Sequence, residues 1–345
     1  MTDISGLVRA NIAVLKPYST ARDEYKGALG IFLDANENPY QNGYNRYPAP
    51  AQKEKVRERI AALKGVTPEN LFMGNGSDEC IDLCYRVFCE PRIDNAISIA
   101  PSYGMYGVCA DINDVEFRTV PLRADFSLPV EELLAAADEH SKLMFLCSPN
   151  NPSANAYDPQ QLLQLVERFN GMVIVDEAYV DFSSKGSLKK YVDRYPNLIV
   201  LQTLSKAYAM AGLRLGLAIA GKKVVEIFKQ VKYPYNIGID TLTIAGKILE
   251  KDVRGQIEEI IAQREMLSRI LPEFRCVEKV YPSDANFLLV KVTRARELYD
   301  RLIAAELIVR DRSTTKGCEG CLRITVGTPE ENKKLIDIIS DYDRR

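Results

Sequence analysis

Short apolar runs alternate along this chain with longer stretches of helical spacing. The runs at 96–99, 143–146, 173–175, 198–201 and 217–220 are apolar at nearly every position rather than at every second one. A strand that is apolar on both faces belongs inside a covered, parallel sheet. Strand–helix units therefore run from residue 71 to about residue 221, and they predict an α/β fold with a mostly parallel central sheet. Residues 48–64 read as an amphipathic helix with Val56, Ile60 and Leu63 on one side. Residues 240–271 read as one long, charge-rich helix ended by Pro272. The tail alternates again: strand at 286–290, helix at 297–305, strands at 308–310 and 322–326, and a last helix from about Pro329. The start, residues 4 to about 30, reads as a helix and an arm. This gives a large domain over 31–240 and a small α+β domain made of 241–345 with the arm 1–30.

Composition narrows the choice of function. A net charge of −2 offers no electrostatic case for nucleic acid or an anionic membrane. No apolar run reaches membrane length, and Arg214 interrupts the best candidate. The first residues contain Asp3 and lack an apolar core, so no secretory signal is expected and the chain is expected to be cytoplasmic. Cys318-Glu319-Gly320-Cys321 has the spacing of half a zinc knuckle, but no second pair matches it, and no metal is expected. The single histidine, His140, lies in a polar stretch, which argues against a Ser-His-Asp triad.

The chemistry concentrates where apolar runs end. The run 198–201 leads into Thr203-Leu204-Ser205-Lys206, followed by Gly212-Leu213-Arg214. Thr203, Ser205 and Arg214 are donors suited to a phosphate. A lysine held near a fixed cation is hard to protonate, and a neutral amine condenses with an aldehyde. Pyridoxal 5'-phosphate needs both an amine and phosphate donors. Upstream, Val173-Ile174-Val175 ends in Asp176-Glu177-Ala178-Tyr179. An acid at the carboxyl end of a buried strand faces the crevice where open α/β sheets bind ligands. Asp176 there can pair with a protonated pyridine nitrogen, and Tyr179 can reach a phenolic oxygen. Cys147-Ser148-Pro149-Asn150-Asn151-Pro152 is a rigid turn after a strand, with Asn151 a candidate donor to the same oxygen. Gly74-Asn75-Gly76-Ser77-Asp78 opens a helix and offers backbone N–H groups to an anion. Taken singly, each segment reads more readily as a cap, a turn or a solvated side chain.

In combination these segments resemble the fold-type I, pyridoxal-phosphate-dependent aminotransferases. More narrowly, the chain resembles the histidinol-phosphate aminotransferase family. The narrower likeness rests on Lys16-Pro17-Tyr18 with Ala21-Arg22, Leu33-Asp34-Ala35-Asn36-Glu37-Asn38-Pro39, Asn45-Arg46-Tyr47-Pro48 and Gly320-Cys321-Leu322-Arg323-Ile324-Thr325-Val326-Gly327. The resemblance implies a homodimer that exchanges an amino group between histidinol phosphate and 2-oxoglutarate, the latter becoming glutamate. It implies Lys206 as the lysine bound to the cofactor and as proton shuttle, Asp176 at the ring nitrogen, and Tyr179 and Asn151 at the phenolic oxygen. Tyr103 would stack on the ring. Ser77, Asp78, Thr203, Ser205 and Arg214 would hold the phosphate, with Tyr47 reaching it from the partner subunit. Arg323 would grip the substrate anion, with Tyr18, Arg22, Asn36 and Tyr235 also on the substrate side. One departure is visible: the family often has Asn-Pro-Thr-Gly where this chain has Asn151-Pro152-Ser153-Ala154. An amino-acid aminotransferase, a phosphothreonine decarboxylase or a non-catalytic binding module of the same fold are the competing expectations.

Overall fold

The computed structural model describes residues 4–18 and 30–344. Its larger sheet has the order β1-β7-β6-β5-β4-β2-β3, built from β1 (Leu71–Asn75), β2 (Asn95–Ala100), β3 (Glu116–Pro121), β4 (Ser141–Cys147), β5 (Met172–Asp176), β6 (Leu198–Thr203) and β7 (Leu215–Ala220). The pairs from β3 through β6 are parallel, and β7 runs against both its neighbours. The sheet is thus mostly parallel, as its apolar strands require.

Helices cover both faces. Among the described residues these are α1 (Ala10–Ala13), α2 (Pro50–Lys64), α3 (Gly76–Phe88), α4 (Met105–Ile112), α5 (Val130–Ala135), α6 (Pro159–Arg168), α7 (Lys222–Val231) and α8 (Ile239–Ile248). One core holds α2, α5, α6 and α8 against Val173, Val175 and Val200. The other holds α3, α4 and α7 against Ile174, Ile199 and Leu201. Alternate residues of one strand thus serve opposite cores. The remaining elements are α9 (Arg254–Ile270), β8 (Val277–Val280), β9 (Phe287–Val292), α10 (Ala295–Ala304), β10 (Arg310–Asp311), β11 (Cys321–Thr325) and α11 (Pro329–Asp343). Their sheet, β10-β11-β9-β8, is antiparallel and carries its own core. Thr328 and Glu331 form a capping box that starts α11. Among the described residues no helix is long and apolar enough to cross a membrane.

Several sequence expectations are corrected. The stretch 240–271 is two helices, because i→i+3 bonds tighten the chain after α8 and Asp252 accepts the Arg254 N–H at 2.9 Å to start α9. Helix α2 begins at Pro50, and its inner face is Val56, Ile60, Ala61 and Lys64, with Leu63 turned to solvent. Lys64 is tolerated inside because Asp181 takes its amine at 3.0 Å. Residues 4–13 pack on the larger unit rather than the smaller: Ile4 is buried beside α3 and α7, and the Arg9 N–H donates to Val87 at 3.0 Å. Strand β10 spans only Arg310–Asp311. Strands β3 and β8 had no expectation. Both are polar edge strands, which the search for apolar runs passes over.

Candidate active site

The site lies at the carboxyl ends of the parallel strands, beside the end of the antiparallel β1–β7 pair. Gly74 pairs with Gly216, and Gly76 donates its N–H to the Arg214 carbonyl at 2.8 Å. A Cβ on Gly216 would stand 2.1 Å from the Gly76 carbon and the Ser77 nitrogen. Only glycine permits that approach. It sets the amino end of α3, with Ser77 and Asp78, beside Arg214, which adopts a left-handed backbone at φ 53. Asp78 accepts from Arg214 Nη2 at 3.2 Å and from the Tyr103 hydroxyl at 3.0 Å.

At the end of β5, Asp176 and Glu177 face opposite ways. Asp176 accepts from the Tyr106 hydroxyl at 2.7 Å and the Ala178 N–H at 3.1 Å. Burial pushes its carboxyl up to about 6 against the pull of both donors. Glu177 is clamped by the Ser187 hydroxyl, the Leu188 N–H at 2.7 Å and Gln202 Nε2 at 2.9 Å. Burial still raises it to about 7.

Past β6, the Thr203 hydroxyl accepts the Ser205 N–H at 3.1 Å. The Lys206 amine lies 5.8 Å from the Tyr179 ring centroid. Burial, then Arg323 and Arg214, hold Lys206 below the usual lysine range. The turn after β4 is pinned by Asn150, whose Nδ2 donates to Pro101 at 3.0 Å and Ser153 Oγ at 2.7 Å. Its neighbour Asn151 accepts from Arg323 Nη1 at 2.6 Å. Ala154 takes the glycine's place at φ 70, and its N–H closes the turn onto Asn150 at 2.8 Å. The left-handed backbone costs an alanine about 1 kcal/mol, and the turn keeps its hydrogen bond nonetheless.

The fold therefore brings Ser77, Asp78, Tyr103, Asn151, Asp176, Tyr179, Thr203, Ser205, Lys206 and Arg214 around one cleft, together with Cys147, Ala178 and Ala211. Arg323 reaches the rim from β11. Asn36, Tyr47 and Tyr235 are not at this cleft. They line a second, open depression, where Tyr47 stacks on Tyr235 at 4.1 Å. Tyr18 is exposed, and Arg22 falls outside the described residues. Tyr106, Arg310 and Arg312 were missed as site residues. Arg310 pairs in register with Arg323, and the buried Arg312 Nε has no hydrogen-bond partner. Among the described residues none of these three arginines has an ion pair. The Val309-Arg310-Asp311-Arg312 segment carries enough charge to have prompted the question.

Residues 32–339 match the family described as aminotransferase class I and II. The chain belongs to that family. As a class I and II aminotransferase it has full-length relatives: histidinol-phosphate aminotransferase of Parabacteroides distasonis is 49% identical over 343 residues, 99% of each chain. That of Flavobacterium johnsoniae is 48% identical over 339 residues, 97% of each. Among solved structures, histidinol-phosphate aminotransferase from Clostridium acetobutylicum superposes with a TM-score of 0.78 at 20% identity, over 87% of this chain and 91% of that one. The Sinorhizobium meliloti enzyme in complex with pyridoxal-5'-phosphate gives 0.75 at 21%, over 86% and 84%. At those identities the structures establish the fold. The family's cofactor is pyridoxal 5'-phosphate, and this cleft fits it. It combines a buried carboxylate for a protonated ring nitrogen, an amine that sheds its proton readily, and an arginine beside a helix start for a phosphate.

Proposed function

We propose that this aminotransferase interconverts L-histidinol phosphate and 2-oxoglutarate with imidazole-acetol phosphate and L-glutamate, in histidine biosynthesis. The observation that carries the reading is Arg323. It lies close enough to depress the Lys206 amine, Arg310 and Arg312 lie beside it, and among the described residues none of the three has an ion pair. Such a cluster suits a dianionic phosphate, and a guanidinium forks onto carboxylate or phosphate alike. The names of the full-length relatives support the same substrate.

When bound, pyridoxal 5'-phosphate supplies an aldehyde and a ring that accepts the electron pair released at the substrate's Cα. Asp176 holds the proton on the ring nitrogen. The Lys206 Nζ would take the proton from the substrate's Cα and hold it for return. Tyr179 and Asn151 hold the phenolic oxygen, and Tyr103 covers the ring. Ser77, the Asp78 N–H, Thr203, Ser205 and Arg214 take the phosphate. Arg323 aligns the substrate anion, with Tyr18 and Arg22 at the mouth.

The enzyme is a cytoplasmic homodimer in this reading. Ile31, Leu33 and Tyr40 are 90%, 86% and 82% exposed, and a partner covering them would bring Asn36, Tyr47 and Tyr235 toward its own cleft. The chain divides near residue 240 into a cofactor-bearing unit and a smaller unit that carries Arg323. Single-turnover spectra with L-glutamate, histidinol phosphate, phenylalanine and O-phosphothreonine test the substrate. Rapid half-reactions are expected with the first two only. A faster reaction with phenylalanine, or release of carbon dioxide from O-phosphothreonine, overturns the assignment. Arg323→Lys should slow both productive half-reactions, since a point charge loses the fork.

A further inference from the structure

The Asp176 carboxylate is the buried charge on which the proposed chemistry turns, and what keeps it charged is visible in the packing. It sits at the end of β5 with almost no solvent contact. Burial alone favours a neutral acid. Two donors oppose this: the Ala178 N–H, supplied by the chain itself, and the Tyr106 hydroxyl, supplied from α4 at 2.7 Å.

Tyr106 has little freedom to do anything else. It is wholly buried. Its ring stacks on Phe145 at 4.9 Å, and Phe145 stacks in turn on Tyr85 at 5.3 Å. The Tyr85 hydroxyl closes the arrangement by donating to the Tyr106 carbonyl at 2.8 Å. On its other side Tyr106 meets Tyr103 edge-on at 5.6 Å. A three-ring stack therefore fixes the position of one hydroxyl, and the same ring braces the aromatic that lines the cleft.

Resting on the role assigned above to Asp176, we propose that Tyr106 is a positioning residue: its hydroxyl keeps the Asp176 carboxylate ionised and turned to the cleft, while its ring braces Tyr103. The other titratable groups around Asp176 are Asp78 and Cys80 from α3, Cys147 from β4, Lys206 beyond β6, and Tyr103 and Tyr179. Of these, Asp78 works against ionisation and Lys206 favours it. Neither donates a hydrogen bond to Asp176, so neither replaces the hydroxyl.

Tyr106→Phe retains the ring and removes the donor. Pyridoxal 5'-phosphate titrated into the full-length chain between pH 5.5 and 8 gives the readout. The variant should bind the cofactor roughly tenfold more weakly near neutrality, and its loss of binding on acidification should begin roughly one pH unit higher. A Tyr106→Phe curve that overlays the parent's overturns the proposal. A merely structural role would lower the melting temperature and leave the pH midpoint in place, which overturns it as well. In an Asp176→Asn background Tyr106→Phe should cost nothing further, and an undiminished loss there means that the hydroxyl acts elsewhere. No amino donor enters these titrations. A chain that follows the expected curve yet rejects histidinol phosphate would therefore sink the substrate assignment alone.

Discussion

Lys206 is the only amine among the described residues that line the cleft, and Lys206→Ala leaves them none. Lys206→Ala should abolish turnover and the visible absorption of the bound cofactor. Borohydride reduction followed by peptide mapping checks this: an adduct retained at another lysine would refute the role. Asp176→Asn should fold nearly as the parent does and lose at least about a hundredfold in rate, because a neutral amide cannot hold the ring proton. A variant within threefold of the parent (roughly 0.7 kcal/mol) would contradict that. These two residues were legible in the sequence because each follows directly on a short apolar run, and the carboxyl end of a buried strand is a predictable place. Tyr106 and Arg312 were not. Tyr106 reaches Asp176 because its ring stacks on Phe145 of β4, a contact that spacing along the chain does not announce. Arg312 lies near Arg323 through strand pairing rather than through spacing along the chain.

At the scale of elements, Glu177 ties the end of β5 to the turn at Ser187 and to β6 through Gln202. Its folded-state carboxyl titrates near 7, above the roughly 4.3 of an unfolded glutamate. The folded chain thus holds the proton more tightly. That contribution to stability is complete below the unfolded value and is lost as pH rises from about 4.5 through 7. The raised Asp176 carboxyl slopes the same way up to about 6. Urea unfolding without cofactor should show stability falling across this window, and Glu177→Gln should flatten the fall by up to about 3 kcal/mol. An unchanged slope would mean that Glu177 is ionised throughout. The buried strands and their order of appearance were readable from apolar runs. The break between α8 and α9 was not, because the apolar period continues on both sides of it, and what parts them is a tightened last turn followed by the Asp252 side chain at the start of α9.

For the whole molecule, the α/β architecture followed from alternation, whereas assembly left no trace in periodicity. The position of Tyr47, stacked on Tyr235 away from the Lys206 cleft of its own chain, makes shared sites a testable proposal. Subunits carrying Tyr47→Ala and subunits carrying Lys206→Ala should be co-incubated under conditions of subunit exchange. In a mixed dimer one site collects both changes and the other has neither, so activity should exceed that of either variant alone. Confirmed exchange with no gain would argue for self-contained sites. The grouping of residues 4–13 with the smaller domain failed for a related reason. A short apolar segment carries no information about which of two cores receives it.

The contact between Gly216 and the Gly76–Ser77 backbone bears on how the protein is made. Among the described strands β1 has only β7 beside it, and Leu71 must wait on the ribosome until Ile219 has emerged. The anion cradle therefore cannot exist in a partly synthesised chain. Closing it is a long-range event of the kind that slows folding, and the cofactor can recognise only a chain that has completed it. Ligand at a hundred times its dissociation constant then adds about 2.7 kcal/mol to the finished state and nothing to its precursors. Cofactor present during refolding should therefore raise the yield of protease-resistant chain, and parallel refoldings with and without it check this.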